Sequence, residues 1–365
     1  MAAGFPAKAN YATGDILTAT NMNDLAGTLN LVTSSTLSVS AGKNAVINGG
    51  FDVWQRGTSV SIAASAGTTY SADRWCGYTG TGQAITVSRQ VTGDTTNLPN
   101  IQYAMRFQRN SGQTGTNTLD ISQSMETINS IPYAGKTVTL SFYARAGANF
   151  SSAANALTGL VVTGTGTDQN QRSTYTGQAI AINSTSTLTT TWQRFTATAT
   201  LPATMTEMSV NFEYTPTGTA GTNDYFEVTG VQLELGSTAT SFARNGATYQ
   251  VELAACQRYY FRTVADTVYG LLGFQTARST TVADTQLQCP VTMRVAPTTF
   301  DSSGLGYSLY FGGAGATATS LALNTTNTNR YVASLTLTYT ATTLVAGSTY
   351  QTLATNGYIG FGAEL

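Results

Sequence analysis

The stretch KTVTLSFYARAGA, residues 136–148, decides how the rest of the chain is read. Val138, Leu140, Phe142 and Ala144 alternate with Thr139, Ser141 and Tyr143, the period-two pattern of a strand with one face against a core. Met208, Val210, Phe212 and Tyr214 alternate in the same way with Ser209, Asn211 and Glu213, and Tyr103, Met105 and Phe107 mark a further strand. From Phe226 to Leu235 the alternation runs in two phases, Phe226 and Val228, then Val231, Leu233 and Leu235. The phase changes at Gly230, where a β-bulge is expected. Such strands, separated by Gly, Asn and Thr turns, make a two-sheet sandwich, and residues 44–245 are read as a jelly-roll.

Composition agrees. Only 10% of the 365 residues are charged, against roughly 25% in ordinary soluble proteins. A hydrophobic share of 41% and 19 tyrosines argue against disorder. The polar remainder is Thr, Ser, Gly, Asn and Gln, which solvates a surface through hydroxyls and amides. Such a surface suits fibres and capsid parts, where close packing would otherwise strip charges of water. Net charge is −1 with no basic run, so nucleic-acid binding lacks its electrostatic term. No apolar stretch approaches about 18 residues, so membrane insertion is not expected. The first residues lack the charged and apolar regions of a secretory signal, so synthesis and retention in a cytoplasm are expected. Cys76, Cys256 and Cys289 form no C-x-x-C and are read as buried free thiols. The chain has no histidine, which removes Ser–His and Cys–His nucleophiles and His-ligated zinc. No metal and no cofactor are implied. Catalysis would need paired carboxylates. Asp224, Glu227 and Glu234 cluster near the last sandwich strands, but period two spreads them over solvent faces, and no catalytic residue is assigned.

The flanks differ from the sandwich. In residues 1–43, Thr20 is a plausible N-cap and Met22, Leu25 and Leu29 form one helical stripe. A helix of about ten residues is too short to persist alone, so it is expected to dock, on a neighbour or on its own domain. In residues 246–262, Tyr249, Leu253, Cys256 and Tyr260 recur at i, i+4, i+7 and i+11, an amphipathic helix running through AACQRYYFR. Its stripe is predicted at a subunit contact, the alternative being packing on its own sandwich. Residues 263–365 read as a second β domain, with strands at Leu287–Val295, Leu305–Phe311, Leu321–Leu323 and Tyr331–Tyr339. An Asn356-Gly357 hairpin-type turn precedes a last strand, Tyr358–Phe361. The fold class is therefore all-β: N-terminal anchor segment, jelly-roll β-sandwich, short connecting helix, C-terminal β domain. No repeat of fixed period is present, which disfavours a propeller or a parallel β-helix.

Several stretches resemble a known family. NAVINGGFDVWQRGTS (44–59) with YSADRWC (70–76) resembles the opening of a β-sandwich module common in bacteriophage tail-fibre proteins. VTGVQLELGSTATSFAR (228–244) and ELAACQRYYFR (252–262) resemble its close and exit helix. GDILTATNMNDLAGTLN (14–30) is similar to the entry segment of phage tail proteins, and YIGFGAEL (358–365) to their C-terminus. KTVTLSFYARAGA and TWQRFTATATLP (191–202) are similar to strands of carbohydrate-binding modules with a galactose-binding-like jelly-roll. The resemblance implies a structural virion protein, a tail-fibre subunit active in host recognition and adsorption, with Met22, Leu25 and Leu29 meeting another virion protein. It also implies a homotrimer. A capsid decoration, collar or head-fibre protein is the alternative, and a polysaccharide depolymerase the second.

Sugar platforms need exposed aromatic faces flanked by amides and carboxylates. Trp54, Trp75 and Trp192 lie in the motif segments and are read as sandwich packing, with a sugar-facing role as the alternative. Asp73 beside Arg74 is read as a turn or ion-pair residue. Contact with a host glycan is expected in residues 263–365. Period two sets Tyr310 opposite Leu305, Tyr307, Leu309 and Phe311, and Tyr269 sits beside Gly270. Both tyrosines are candidate glycan contacts, burial under a neighbouring subunit being the alternative.

Overall fold

The computed structural model describes residues 42–81, 83–265, 267, 270–303, 318–340, 344–354 and 357–365. Met22, Leu25, Leu29, Tyr269 and Tyr310 lie outside them, as does the strand expected over 305–311. The sandwich is as the alternation predicts. One six-stranded sheet runs β1 (Ser59–Ile62), β4 (Ile85–Val91), β5 (Tyr103–Arg109), β12 (Tyr225–Leu235), β7 (Thr137–Ala146), β10 (Gln193–Thr200). The other runs β2 (Gly67–Tyr70), β3 (Cys76–Thr79), β6 (Leu119–Ser124), β11 (Glu207–Tyr214), β8 (Ala156–Gly164), β9 (Ala179–Thr187). Neighbours are antiparallel throughout, and the chain passes repeatedly from one sheet to the other, which is jelly-roll topology.

Aromatic rings from the inner faces fill the space between the sheets. Phe142 of β7 meets Phe212 of β11 edge-on at 4.8 Å, and Phe107 of β5 stacks on Phe226 of β12 at 5.3 Å. Trp75 lies fully buried between Phe51 and Phe212. The bulge expected at Gly230 is present, with the β12–β7 register shifting between Thr229 and Gln232. Gly230 has φ +58°, and a Cβ there would stand 2.8 Å from Ile101 Cδ1. Both reasons require glycine.

Period two did not foresee that the outer faces are covered as well. Ser209 and Asn211 are buried, because the segment after β8 lies over them. Tyr175 donates to the Met208 carbonyl, and Asn211 to the Gln171 side chain. The solvent-face reading of Asp224, Glu227 and Glu234 is corrected as well. All three are buried, each on a cationic partner: Arg109 for Asp224, Arg106 and Arg145 for Glu227, Lys43 for Glu234.

The described residues hold a one-turn helix α1 (Thr127–Ser130) and the connecting helix α2 (Tyr249–Gln257). Thr248 caps α2 by accepting from Val251 N–H. The helix is shorter than its stripe implies: Tyr260 begins β13 (Tyr260–Val264). Cys256 and Tyr260 are buried within the chain, and Tyr249 stays exposed, so the four residues do not share one open face.

The C-terminal unit has two antiparallel sheets. Three strands run β13, β20 (Tyr358–Gly362), β16 (Thr299–Ser303). Five run β17 (Ser320–Leu323), β18 (Val332–Thr338), β15 (Val282–Gln288), β14 (Gly270–Ala277), β19 (Thr349–Ala354). Phe261, Leu335, Leu337, Ile359 and Phe361 share their core. The strand expected at Leu287–Val295 instead ends at Gln288, and β19 and β20 lie in different sheets; Asn356 of the expected turn lies outside the described residues. The two units are tied by buried charge. Glu126 accepts from Arg258 at 2.8 Å and from Tyr259 at 2.5 Å, while Glu364 takes both Arg56 and Arg74. All three cysteines are buried free thiols, as expected.

Candidate functional site

A ring can serve as a recognition platform only if one face is open to solvent. Trp54, Trp75 and Trp192 are all buried, which leaves them the packing role read from sequence. Many tyrosine faces are occupied by guanidinium groups. Arg56 lies 3.6 Å from the Tyr260 ring centre, Arg74 3.5 Å from Tyr259, Arg106 3.8 Å from Tyr225 and Arg262 3.5 Å from Tyr358. The cleft of about 540 Å³ between the units, bordered by Tyr70, Tyr260, Asp301 and Glu364, is therefore a joint whose rings and charges already satisfy one another.

The outer face of the five-stranded sheet is different. In β14 the register against β19 shifts between Leu271 and Gly273, and this bulge brings Leu271 and Phe274 to the solvent side while Leu272 and Gln275 point inward. Phe274 is 58% exposed and has no cation over it among the described residues. Its cross-strand partner on β19 is Gln351. On β15 the pairing of Gln275 with Thr285 sets Gln286 at its other flank. Gln286, Gln288 and Gln351 are all exposed. Each carries an amide able to donate and to accept.

Phe274 opens on a groove of about 760 Å³ that continues past Thr276, Asp284, Gln286 and Gln288 to Asn327. Asp284 is fixed at its edge, accepting from Thr336 Oγ1 at 2.7 Å and paired with Arg278 Nε at 3.2 Å. The platform is held from below. Thr285 Oγ1 donates to the Phe274 carbonyl at 2.9 Å, and Tyr339 OH donates to the buried Gln275 side chain at 2.8 Å. An apolar ring set among amides, a hydroxyl and one compensated carboxylate matches a pyranose, whose C–H face is apolar and whose rim is hydroxyl.

Neither Phe274 nor its glutamines were singled out in the sequence. The run GLLGF at 270–274 conceals them, because the bulge breaks the alternation that would reveal an outward ring. One pair of carboxylates is opposed in register, Asp120 with Glu213. Arg172 engages Asp120, and burial pushes the Glu213 carboxyl up against the pull of Arg172. Asp120 is nearly enclosed, out of reach of a polymer chain. Among the described residues no cluster of three or more Cys, Asp or Glu is placed to hold a metal ion, and no helix is long and apolar enough to cross a membrane.

No family model matches this chain, and no curated protein does. Among solved structures it is similar to a carbohydrate-binding module of family CBM4, with 18% identity and TM-score 0.32 over 52% of this chain and 98% of that one. It is similar to a CBM61 module in complex with β-1,4-galactotriose, with 12% identity and TM-score 0.31 over 53% and 99%. It is also similar to the enzymatically active domain of bacteriophage CBA120 tailspike protein 4, with 12% identity and TM-score 0.32 over 53% of this chain and 22% of that one. The chain is an all-β protein with a two-sheet jelly-roll, a short connecting helix and a C-terminal β unit.

Proposed function

We propose that this chain is a non-enzymatic structural subunit of a bacteriophage particle, a tail-fibre subunit, which meets neutral glycan on the host surface through the outer face of its C-terminal five-stranded sheet. The observation that carries the glycan contact is Phe274, an uncapped ring held rigidly between Gln351 and Gln286 beside an open groove. The virion assignment rests on the resemblance of residues 14–30, 44–59, 70–76, 228–244 and 252–262 to phage tail proteins. In this reading Met22, Leu25 and Leu29 contact a neighbouring virion protein, and copies of the chain gather as a trimer. A single exposed ring gives weak binding, and many copies per particle make it avid. Catalysis is not part of the reading, because Asp224, Glu227 and Glu234 are each committed to a cationic partner.

Competition for adsorption tests this. Purified full-length protein is expected to block attachment of the particle to its host, and Phe274→Ala to lose that block while keeping its melting temperature. If the variant competes as well as the parent, the glycan site is elsewhere. Oligosaccharide released from host polysaccharide would replace this reading with the depolymerase one. Antibody labelling of intact particles separates a tail fibre from a collar or head position.

A further inference from the structure

The outer face of the first sandwich sheet carries a second arrangement that the glycan reading does not use. Ser88, Arg106, Glu227 and Arg145 stand in one row across β4, β5, β12 and β7. The pairing of Gln193 with Ala144 brings Trp192 to the end of that row. Glu227 is wholly buried and takes both guanidinium groups: Arg106 Nε and Nη2 at 2.9 and 2.6 Å on one oxygen, Arg145 Nε at 2.6 Å on the other. Each arginine is also laid on a ring, Arg106 on Tyr225 at 3.8 Å and Arg145 on Trp192 at 4.7 Å. Position and plane are thus both fixed.

What remains unused points outward. Arg106 Nη1 and both Nη atoms of Arg145 make no hydrogen bond among the described residues, and the two side chains are 24% and 27% exposed. Arg194 stands in the neighbouring row opposite Tyr143; it donates to Ser141 Oγ and the Thr240 carbonyl and has no acidic partner among the described residues. Asp94, whose carboxylate feels Arg145, is engaged by Thr96 and Asn97. A structural ion pair alone needs one arginine for one carboxylate. Here a single buried carboxylate orients two, leaving fixed N–H groups open in the geometry that oxyanions accept.

We infer that this row is a binding site for an anionic group of a surface polymer, a phosphate or a sugar carboxylate, separate from the Phe274 face. Binding is read from tryptophan fluorescence of the full-length protein, since Arg145 lies on Trp192, with Trp192→Phe as the control that silences the signal. The probes are inorganic phosphate, glucuronate and, as the neutral comparison, glucose. Phosphate, glucuronate or both are expected to give a saturable change that weakens with added salt, and glucose none. Which of the two binds identifies the source. Arg145→Lys keeps a charge on Glu227 but loses the fork, and is expected to weaken binding about tenfold. Arg194→Ala, an exposed position, is expected to weaken it about threefold. No saturation with either anion, or unchanged affinity in both variants with unchanged melting temperature, overturns the site. Either result leaves the Phe274 reading standing.

Discussion

Replacing Arg109 by methionine is expected to be among the most damaging single changes in the sandwich. The guanidinium is fully buried and bonds Asp224 Oδ2 and Ser151 Oγ at 2.9 Å each. Its other arm donates to the carbonyls of Gln113, Gly115 and Gly218 at 2.9, 3.0 and 3.1 Å. Methionine fills much of the volume but supplies none of these donors. It leaves the Asp224 carboxylate buried without its counter-charge. Removing one member of a buried pair costs about 3–5 kcal/mol. For a sandwich of this size each kcal/mol lowers the melting temperature by about 2–4 °C, so the fall should be roughly 6–20 °C. Calorimetry on Arg109→Met reads this directly. The double variant Arg109→Met, Asp224→Asn should melt above the sum of the single losses, because the orphaned charge is gone. A single variant melting within about 2 °C of the parent would refute the reasoning.

Other outcomes follow from equally local features. Burial pushes the Glu126 carboxyl up, but hydrogen bonds from Arg258 and Tyr259 outweigh it and hold the group below its ordinary range. Its stabilisation is thus complete above the ordinary glutamate value of about 4.3 and lost as pH falls through the lower folded value. Glu126→Gln should flatten that acid limb of the stability profile, and an unchanged limb assigns it to other groups. Cys76, Cys256 and Cys289 are buried, and burial pushes each thiol up, so none should react with a thiol reagent until denaturant is added. Rapid labelling of any one in native protein would contradict its placement. Gly230→Ala meets a positive φ and Ile101 Cδ1 at 2.8 Å, and should cost more than about 1 kcal/mol in urea unfolding.

The sequence was most legible where one strand carried its own pattern. Strands β7 and β11 and the Gly230 bulge follow from spacing within ten or so residues, and the packing role of the tryptophans from their place in the motif segments. Features built across the chain were not legible. Glu227 read as solvent-facing because alternation reports which side of a sheet a residue takes, not what covers that side. Its partners Arg106 and Arg145 come from two other strands, and the ring under Arg145 from the residue just before a third. Phe274 was missed for the opposite reason: its exposure depends on a bulge within a run of apolar and glycine residues, where the phase is ambiguous. Tyr260 reads as part of a helical stripe because it stands four residues after Cys256, whereas the helix ends at Gln257 and Tyr260 pairs with Gly362.

The central claim is that an uncapped ring on the C-terminal sheet meets host glycan. A structure of the full-length protein with an oligosaccharide from the host's surface polysaccharide tests it most directly. The account predicts a pyranose lying on the Phe274 ring, its hydroxyls shared between Gln286 and Gln351. A sugar bound on the sandwich, with the Phe274 face empty at saturating ligand, would contradict it.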